Sequence, residues 1–277
     1  MTRLQQQDIA ELGANLAAYD KGLRAATGSG LADIAAHALA MRLPGSDCLP
    51  MDTVAAVIPI SYGEGLIPGF SEAVQKILEF LGCTAFVTRQ SNVRGLSEAI
   101  ERGATLLLLS DDDDFVALNL AAGRTSHNSE ATGRGYGAAL DLMAGGVHER
   151  DVLVVGAGPV GEAAARFLNA RGGRVTVYDH DHTRARSLIQ TIPGAQLAPD
   201  LTTALQRCLL IIEATPSAGV LTRKDLTPQT LIAAPGVPLG VDVEGQDFLG
   251  CRLVHDTLEI GVATMLYTVL APMTVGE

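Results

Sequence analysis

Lysine is almost missing from this 277-residue chain: Lys21, Lys76 and Lys224 are the only ones. Acidic residues outnumber basic ones, 31 Asp and Glu against 20 Lys and Arg, for a formal net charge of −11 at pH 7. Nucleic acids and anionic membranes need a basic footprint, so neither is an expected partner. Cys48, Cys83, Cys208 and Cys251 lie far apart and form no CxxC pair. They read as reduced core residues of a cytoplasmic protein rather than as disulfides or ligands. The six histidines show no metal spacing, so no metal is expected. The first residues, MTRLQQQDIAELGANL, contain no apolar h-region of a signal peptide, and no later run approaches a membrane span.

What is present is an ordinary core, with 47% hydrophobic and 18% charged residues, in a chain long enough for two modest domains. Ile9, Leu12, Leu16, Tyr19 and Leu23 step by three or four, the stripe of an amphipathic helix that starts near Asp8 and Glu11 and ends at Gly28. VAAVIPI (54–60), TAFVT (84–88) and TLLLL (105–109) are unalternating apolar runs separated by helical segments. That pattern predicts a short parallel sheet buried on both faces. Ser71 is the expected N-cap of the helix between the first two runs, and Gly82 its stop. EATGRGYGAALDLMAGG (130–146) predicts a closely packing helix rich in Gly and Ala that leads out of this unit. The expected division is an N-terminal α/β substrate domain over 1–148 and a Rossmann-like domain with a C-terminal helix over 149–277.

The second unit opens with DVLVVGAGPVGEAAARFLNARGGRVTVYD. A lone GxGxxG is weak, but here a strand precedes it, a helix follows it, and a second strand ends in Asp179. Gly156 permits the strand-to-helix turn, Gly158 lets a diphosphate reach the backbone, and Gly161 lets helix and strand pack closely. The helix start, with Ala157, Pro159 and Val160 completing the loop, offers unpaired N–H groups to the diphosphate. Asp179 suits the adenosine ribose hydroxyls and repels a 2′-phosphate, which favours NAD, although Arg184 lies close enough in sequence to be imagined at such a phosphate. A Rossmann-like domain binding another nucleotide, or none, is the bland alternative. LLIIEATP and AAPGVP end later strands at the carboxyl edge, which makes Thr215, Pro216 and Pro235 candidate cofactor contacts or ordinary turn residues.

No lysine stands at a strand end or in a glycine loop, and no Ser/Tyr-x-x-x-Lys pattern occurs. Carboxylates remain at the expected cleft. In LLLLSDDDDFVALN (106–119) four aspartates follow a core strand, and Asp256 follows LVH at the end of the last one. Acids hold an ammonium group and can take its proton as hydride leaves. Asp113 and Asp114 fit the first turn of a following helix, where the dipole favours Asp. Ser110 and Asp111 are placed at the site.

GLIPGFSEAV, LLLSDDDDFVALN, VLVVGAGPVG, EATP, APGVP and IGVATMLYTVL, in this order over nearly the whole chain, resemble the PylD family of pyrrolysine biosynthesis. The resemblance implies an NAD-dependent enzyme acting on a small amine, lysine-linked 3-methylornithine (3-methylornithyl-Nε-lysine), in a pocket between the two domains. It implies oxidation of the terminal amine, ring closure and loss of ammonia, under a first helix that closes over the pocket. Carried over by position, it gives Leu4, Ser61, Ser110, Asp111 and Asp256 as pocket residues, with Asp111 and Asp256 the acids of catalysis. Asp256 stands where the family typically has glutamate, so His255 is a candidate to take over its contact. SYGEGL differs from the usual form of that turn, which makes Tyr62 or Glu64 the residue expected to reshape the pocket wall. A homodimer is compatible with this reading. The alternatives are another amino-acid or ornithine-type dehydrogenase or cyclodeaminase, and an NAD(H)-sensing protein without chemistry.

Overall fold

Strands of two to six residues, most of them apolar or β-branched, build two sheets in the computed structural model, which describes residues 15–40, 53–63 and 66–271. Leu4, Glu64, and the start of the stripe at Ile9 and Leu12, lie outside the described residues. Two helices come first, α1 (Leu16–Thr27), closed by Gly28 at φ 74°, and α2 (Leu31–Ala38). Then follow β1 (Val54–Pro59), α3 (Phe70–Phe80), β2 (Thr84–Val87), α4 (Asn92–Glu101) and β3 (Leu106–Ser110). Helix α3 starts at Gly69 rather than Ser71, because Gly69 adopts the left-handed turn (φ 84°) and leaves Ser71 inside the first turn.

The acid run is not the start of a helix. It is the turn of an antiparallel hairpin joining β3 to β4 (Phe115–Asn119), and β5 (Arg124–His127) pairs antiparallel to β4. Asp111 closes that turn: its N–H donates to the Asp114 carbonyl, and its Oδ1 accepts from the N–H groups of Asp113 and Asp114, both at 2.9 Å. The residues after it alternate, Phe115 and Ala117 buried and their neighbours half-buried, which is strand and not helix periodicity. The first sheet is therefore mixed, in the order β2-β1-β3-β4-β5.

The long helix α5 (Asn128–Met143) crosses from this sheet to the second. There β6 (Asp151–Val155), α6 (Pro159–Ala170), β7 (Arg174–Tyr178), α7 (His182–Gln190), β8 (Gln196–Leu197), α8 (Leu201–Arg207), β9 (Leu210–Glu213), β10 (Leu231–Ala233), α9 (Val243–Leu249) and β11 (Leu253–Val254) form a parallel six-stranded sheet with its helices. Its order is β11-β10-β9-β6-β7-β8, the doubly wound Rossmann-like arrangement with the switch between β6 and β9. The final helix, α10 (Glu259–Leu270), leaves that sheet and packs on α2, α5 and the β4–β5 hairpin of the first unit. Glycines of α5 make the joint tight. A Cβ on Gly133 would lie 2.3 Å from the Val160 carbonyl on α6, and one on Gly135 2.5 Å from Ile260 and Thr264 on α10. No helix among the described residues is long and apolar enough to cross a membrane.

Candidate active site

The carboxyl ends of both sheets face one cavity of about 710 Å³. On the second-sheet side, β6 runs into the glycine loop. Gly156 sits at φ 102°, with the Ala214 carbonyl 2.7 Å from where its Cβ would be, so a side chain is excluded on conformation and on space. Gly161 is closed in the same way by the Gly156 carbonyl at 1.9 Å, whereas nothing lies within 4 Å of a Cβ on Gly158. Gly158 is the N-cap of α6 and lines the cavity, and Pro159 begins the helix. That open backbone at a helix start is a cradle for a diphosphate. Asp179, at the end of β7, also lines the cavity and is buried. It accepts from the Ala157 N–H at 2.7 Å and from the Asp181 N–H at 2.8 Å. Val160, Thr215, Pro216 and Pro235 stand on the same wall, joined by His180 and Arg184 at its outer end. These residues fit a dinucleotide.

The facing wall comes from the first unit. Ser110, Asp111 and Asp112 supply its polar edge, and Ile60, Ile67, Phe70 and Phe115 its apolar floor. Asp111 is exposed, and the turn occupies only its Oδ1. Asp112 leans on the turn after β1, where a Cβ on Gly63 would overlap its carboxylate. The start of α5 adds Asn128, Ser129 and Thr132, which sequence reasoning missed. Their only signal was a polar cluster directly before a glycine-rich helix, which also describes any capped helix.

On the glycine-loop side Ala157 and Gly161 do not themselves line this cavity, and neither do three residues predicted at the substrate. Ser61 is engaged with Asn92, accepting from Nδ2 at 2.7 Å and donating its N–H to Oδ1 at 2.9 Å. Tyr62 is 73% exposed and stands outside both walls. Asp256, expected at the substrate, is held instead behind the wall formed by Thr257 and Leu258. Its carboxylate accepts from the Tyr19 hydroxyl of α1 and, at 3.4 Å, from the Ile260 N–H at the start of α10. Its backbone N–H donates to the Tyr136 hydroxyl at 2.8 Å, and that hydroxyl donates to the Asp256 carbonyl at 2.9 Å. Burial pushes the Asp256 carboxyl up, and burial together with Asp256 pushes the neighbouring Glu259 up to about 7. His255 does not take over at the cavity either: it hydrogen-bonds the Ala234 carbonyl through Nδ1 at 2.7 Å, and burial lowers its pKa. Among the described residues, no cluster of His, Cys, Asp and Glu could hold a metal ion.

Residues 8–126 match the family described as pyrrolysine biosynthesis protein PylD, N-terminal domain, and residues 139–243 match shikimate / quinate 5-dehydrogenase. The chain is 35% identical over 214 residues to the pyrrolysine synthase of Methanosarcina acetivorans, covering 77% of this chain and 81% of that protein. It is likewise 35% identical over 219 residues to the pyrrolysine synthase of Methanosarcina barkeri, covering 77% and 80%. Among solved structures, quinate dehydrogenase from Corynebacterium glutamicum in complex with NAD superposes with a TM-score of 0.53 at 17% identity, covering 78% of this chain and 93% of that one. Shikimate dehydrogenase from Aquifex aeolicus gives 0.53 at 15% identity, covering 83% and 96%. At such identities these two likenesses show the fold alone.

Proposed function

The chain belongs to the PylD family of pyrrolysine synthases, and from that premise we propose that it oxidises the terminal amine of 3-methylornithyl-Nε-lysine with NAD to form pyrrolysine. The observation that carries this reading is the cavity in which a glycine-loop wall faces an apolar wall edged by Asp111 and Asp112. A cationic substrate suits that edge, because among the described residues no lysine or arginine of the first unit lines the cavity.

Bound NAD supplies the hydride acceptor. The chain does the rest by binding and proton transfer. The backbone at Gly156, Ala157, Gly158, Pro159, Val160 and Gly161 receives the diphosphate, and Asp179, fixed to the Ala157 N–H, favours a free ribose over a phosphorylated one. Thr215, Pro216 and Pro235 border the reacting end. Asp111 keeps one carboxylate oxygen outside its turn, and that oxygen holds the ammonium and takes its proton, with Ser110 beside it. Once the carbon bearing the amine has lost hydride, the second ornithine amine attacks the resulting imine, ammonia leaves and the pyrroline ring closes. Phe70 and Phe115, stacked edge to face with centroids 5.3 Å apart, shield this chemistry from water. Asp256 has an indirect part: its contacts to α1, α5 and α10 hold Thr257 and Leu258 on the wall.

The test is NADH and ammonia formation with 3-methylornithyl-Nε-lysine, ornithine and lysine. The reading expects equal amounts of both products from the first compound and neither from the others. Ammonia without net NADH would identify a cyclodeaminase, and binding without turnover a sensor. Asp111→Asn retains an oxygen for the turn while removing the charge, so turnover should fall by at least about tenfold with the fold intact. Near-wild-type turnover would remove Asp111 from the mechanism.

A further inference from the structure

One buried acid stands outside every role described so far. Glu213 ends β9 and has no exposed surface. Among the described residues no basic group pairs with it. A carboxyl group is costly to bury and is kept only where hydrogen-bond donors converge on it. Here they come from two different loops. Oε1 accepts from the Thr215 N–H at 2.9 Å and from the Thr215 hydroxyl, both in the loop after β9. Oε2 accepts from the Gly240 N–H at 3.1 Å, in the loop after β10. The main chain repeats the link, since the Gly236 N–H donates to the Glu213 carbonyl at 3.2 Å.

Both loops line the cavity through residues next to these contacts, Thr215 and Pro216 on one and Pro235 and Gly236 on the other. Two glycines make room for the arrangement. A Cβ on Gly240 would lie 2.2 Å from the Glu213 carboxyl carbon, and one on Gly236 would lie 2.3 Å from the Thr215 carbonyl and 2.7 Å from Glu213 Oε2. The Ala214 carbonyl presses in turn against Gly156 of the glycine loop. Two loops of that wall are thus tied through one side chain, and the glycine loop packs on the backbone beside it.

We propose that Glu213 is a positioning residue for the dinucleotide, a two-sided acceptor that holds the Thr215 and Pro235–Gly236 loops at the separation the bound cofactor requires. This rests on the dinucleotide reading of the glycine-loop wall. Glutamine in its place would fill the same volume but offer one acceptor oxygen, and its NH₂ would face the donor of one loop. Space-filling alone would survive that change, whereas two-sided acceptance would not.

The measurement is NADH affinity of the full-length protein by the fluorescence of the bound nicotinamide, a chain without tryptophan giving little background. Wild type first tests the underlying reading: no NADH binding would remove it, and this inference with it. Given wild-type binding, Glu213→Gln should raise the Kd for NADH about tenfold, the loss of one hydrogen bond at a buried acceptor. The Tm without dinucleotide should stay within a few degrees of wild type. Gly240→Ala, at a residue that does not line the cavity, should weaken NADH binding similarly by displacing the carboxyl. Wild-type NADH affinity in Glu213→Gln would overturn the proposal. Should that variant not fold, wild-type affinity in Gly240→Ala would do the same.

Discussion

At the scale of single residues, the acids of this chain divide by what surrounds them. Asp111 lies in the open at the cavity, with its Oδ1 spent on a turn. Asp256 and Glu259 sit together behind the cavity wall, where burial raises the Asp256 carboxyl, burial and then the Asp256 charge raise Glu259, and the Tyr19 and Tyr136 hydroxyls are pushed well above their usual range. This pair has a consequence for stability. Glu259 holds its proton more tightly in the folded protein than in the unfolded chain, with a pKa of about 7 against about 4.3. Its contribution is therefore fully present at low pH and is lost as pH rises from about 4.3 through about 7. The loss is of the order of 4 kcal/mol at most. Thermal melts of wild type and Glu259→Gln between pH 5 and pH 8 should show wild type losing several degrees more than the variant. Parallel curves would mean that the acid pair keeps no shared proton.

At the scale of elements, helix α5 is the part on which both halves depend. Its positions do not form one stripe but face three ways, to α6 through Gly133 and Gly137, to α10 through Gly135, and to the Asp256 backbone through the Tyr136 hydroxyl. Its far end is fixed by Asp141, which accepts from the Val147 N–H at 2.8 Å, meets His37 Nε2 at 2.7 Å and lies 3.6 Å from Arg171. Gly133→Ala adds a methyl 2.3 Å from the Val160 carbonyl, inside the helix that opens the dinucleotide cradle. Alanine gains up to about 1 kcal/mol in helix propensity, but overpacking of this kind costs about 1–3 kcal/mol. The expected outcome is a lower Tm together with weaker NADH binding, because α6 can move aside only by shifting its own N-terminus. A higher Tm would show that α5 and α6 separate freely.

At the scale of the whole molecule, the chain is two sheets in sequence but not two independent bodies in space. Helix α10 comes last and is buried along nearly its whole length, Ile260 and Met265 included, against elements of the first unit. Cutting the chain after residue 148 would leave the first sheet without that cover and α10 without a partner. Neither fragment alone should give a cooperative thermal transition or protease resistance, whereas mixing them should restore both in part. Cooperative melting of the isolated first fragment would refute this. The same interlock puts the carboxyl ends of both sheets on one cavity, as a reaction between a dinucleotide and a second molecule requires.

Much of this architecture is legible in the amino-acid sequence alone. The apolar runs, the Gly156–Gly158–Gly161 spacing and Asp179 define the Rossmann half on their own, because each records a backbone requirement met within a few residues. The ordered motifs likewise identify the family. The acid run shows where sequence stops being decisive: aspartates suit a helix start and a tight turn equally, and pairing with β3 chose the turn. Asp256 could not be assigned from its neighbours, since its hydrogen-bond partner Tyr19 is 237 positions away. Glu213 bonds to Gly240 across 27 positions, and nothing in either segment announces the other. Local backbone demands are written in short-range spacing. Which acid lines the cavity, and which is buried away from it, was decided only when distant segments packed, because burial and donor geometry are properties of the assembled fold.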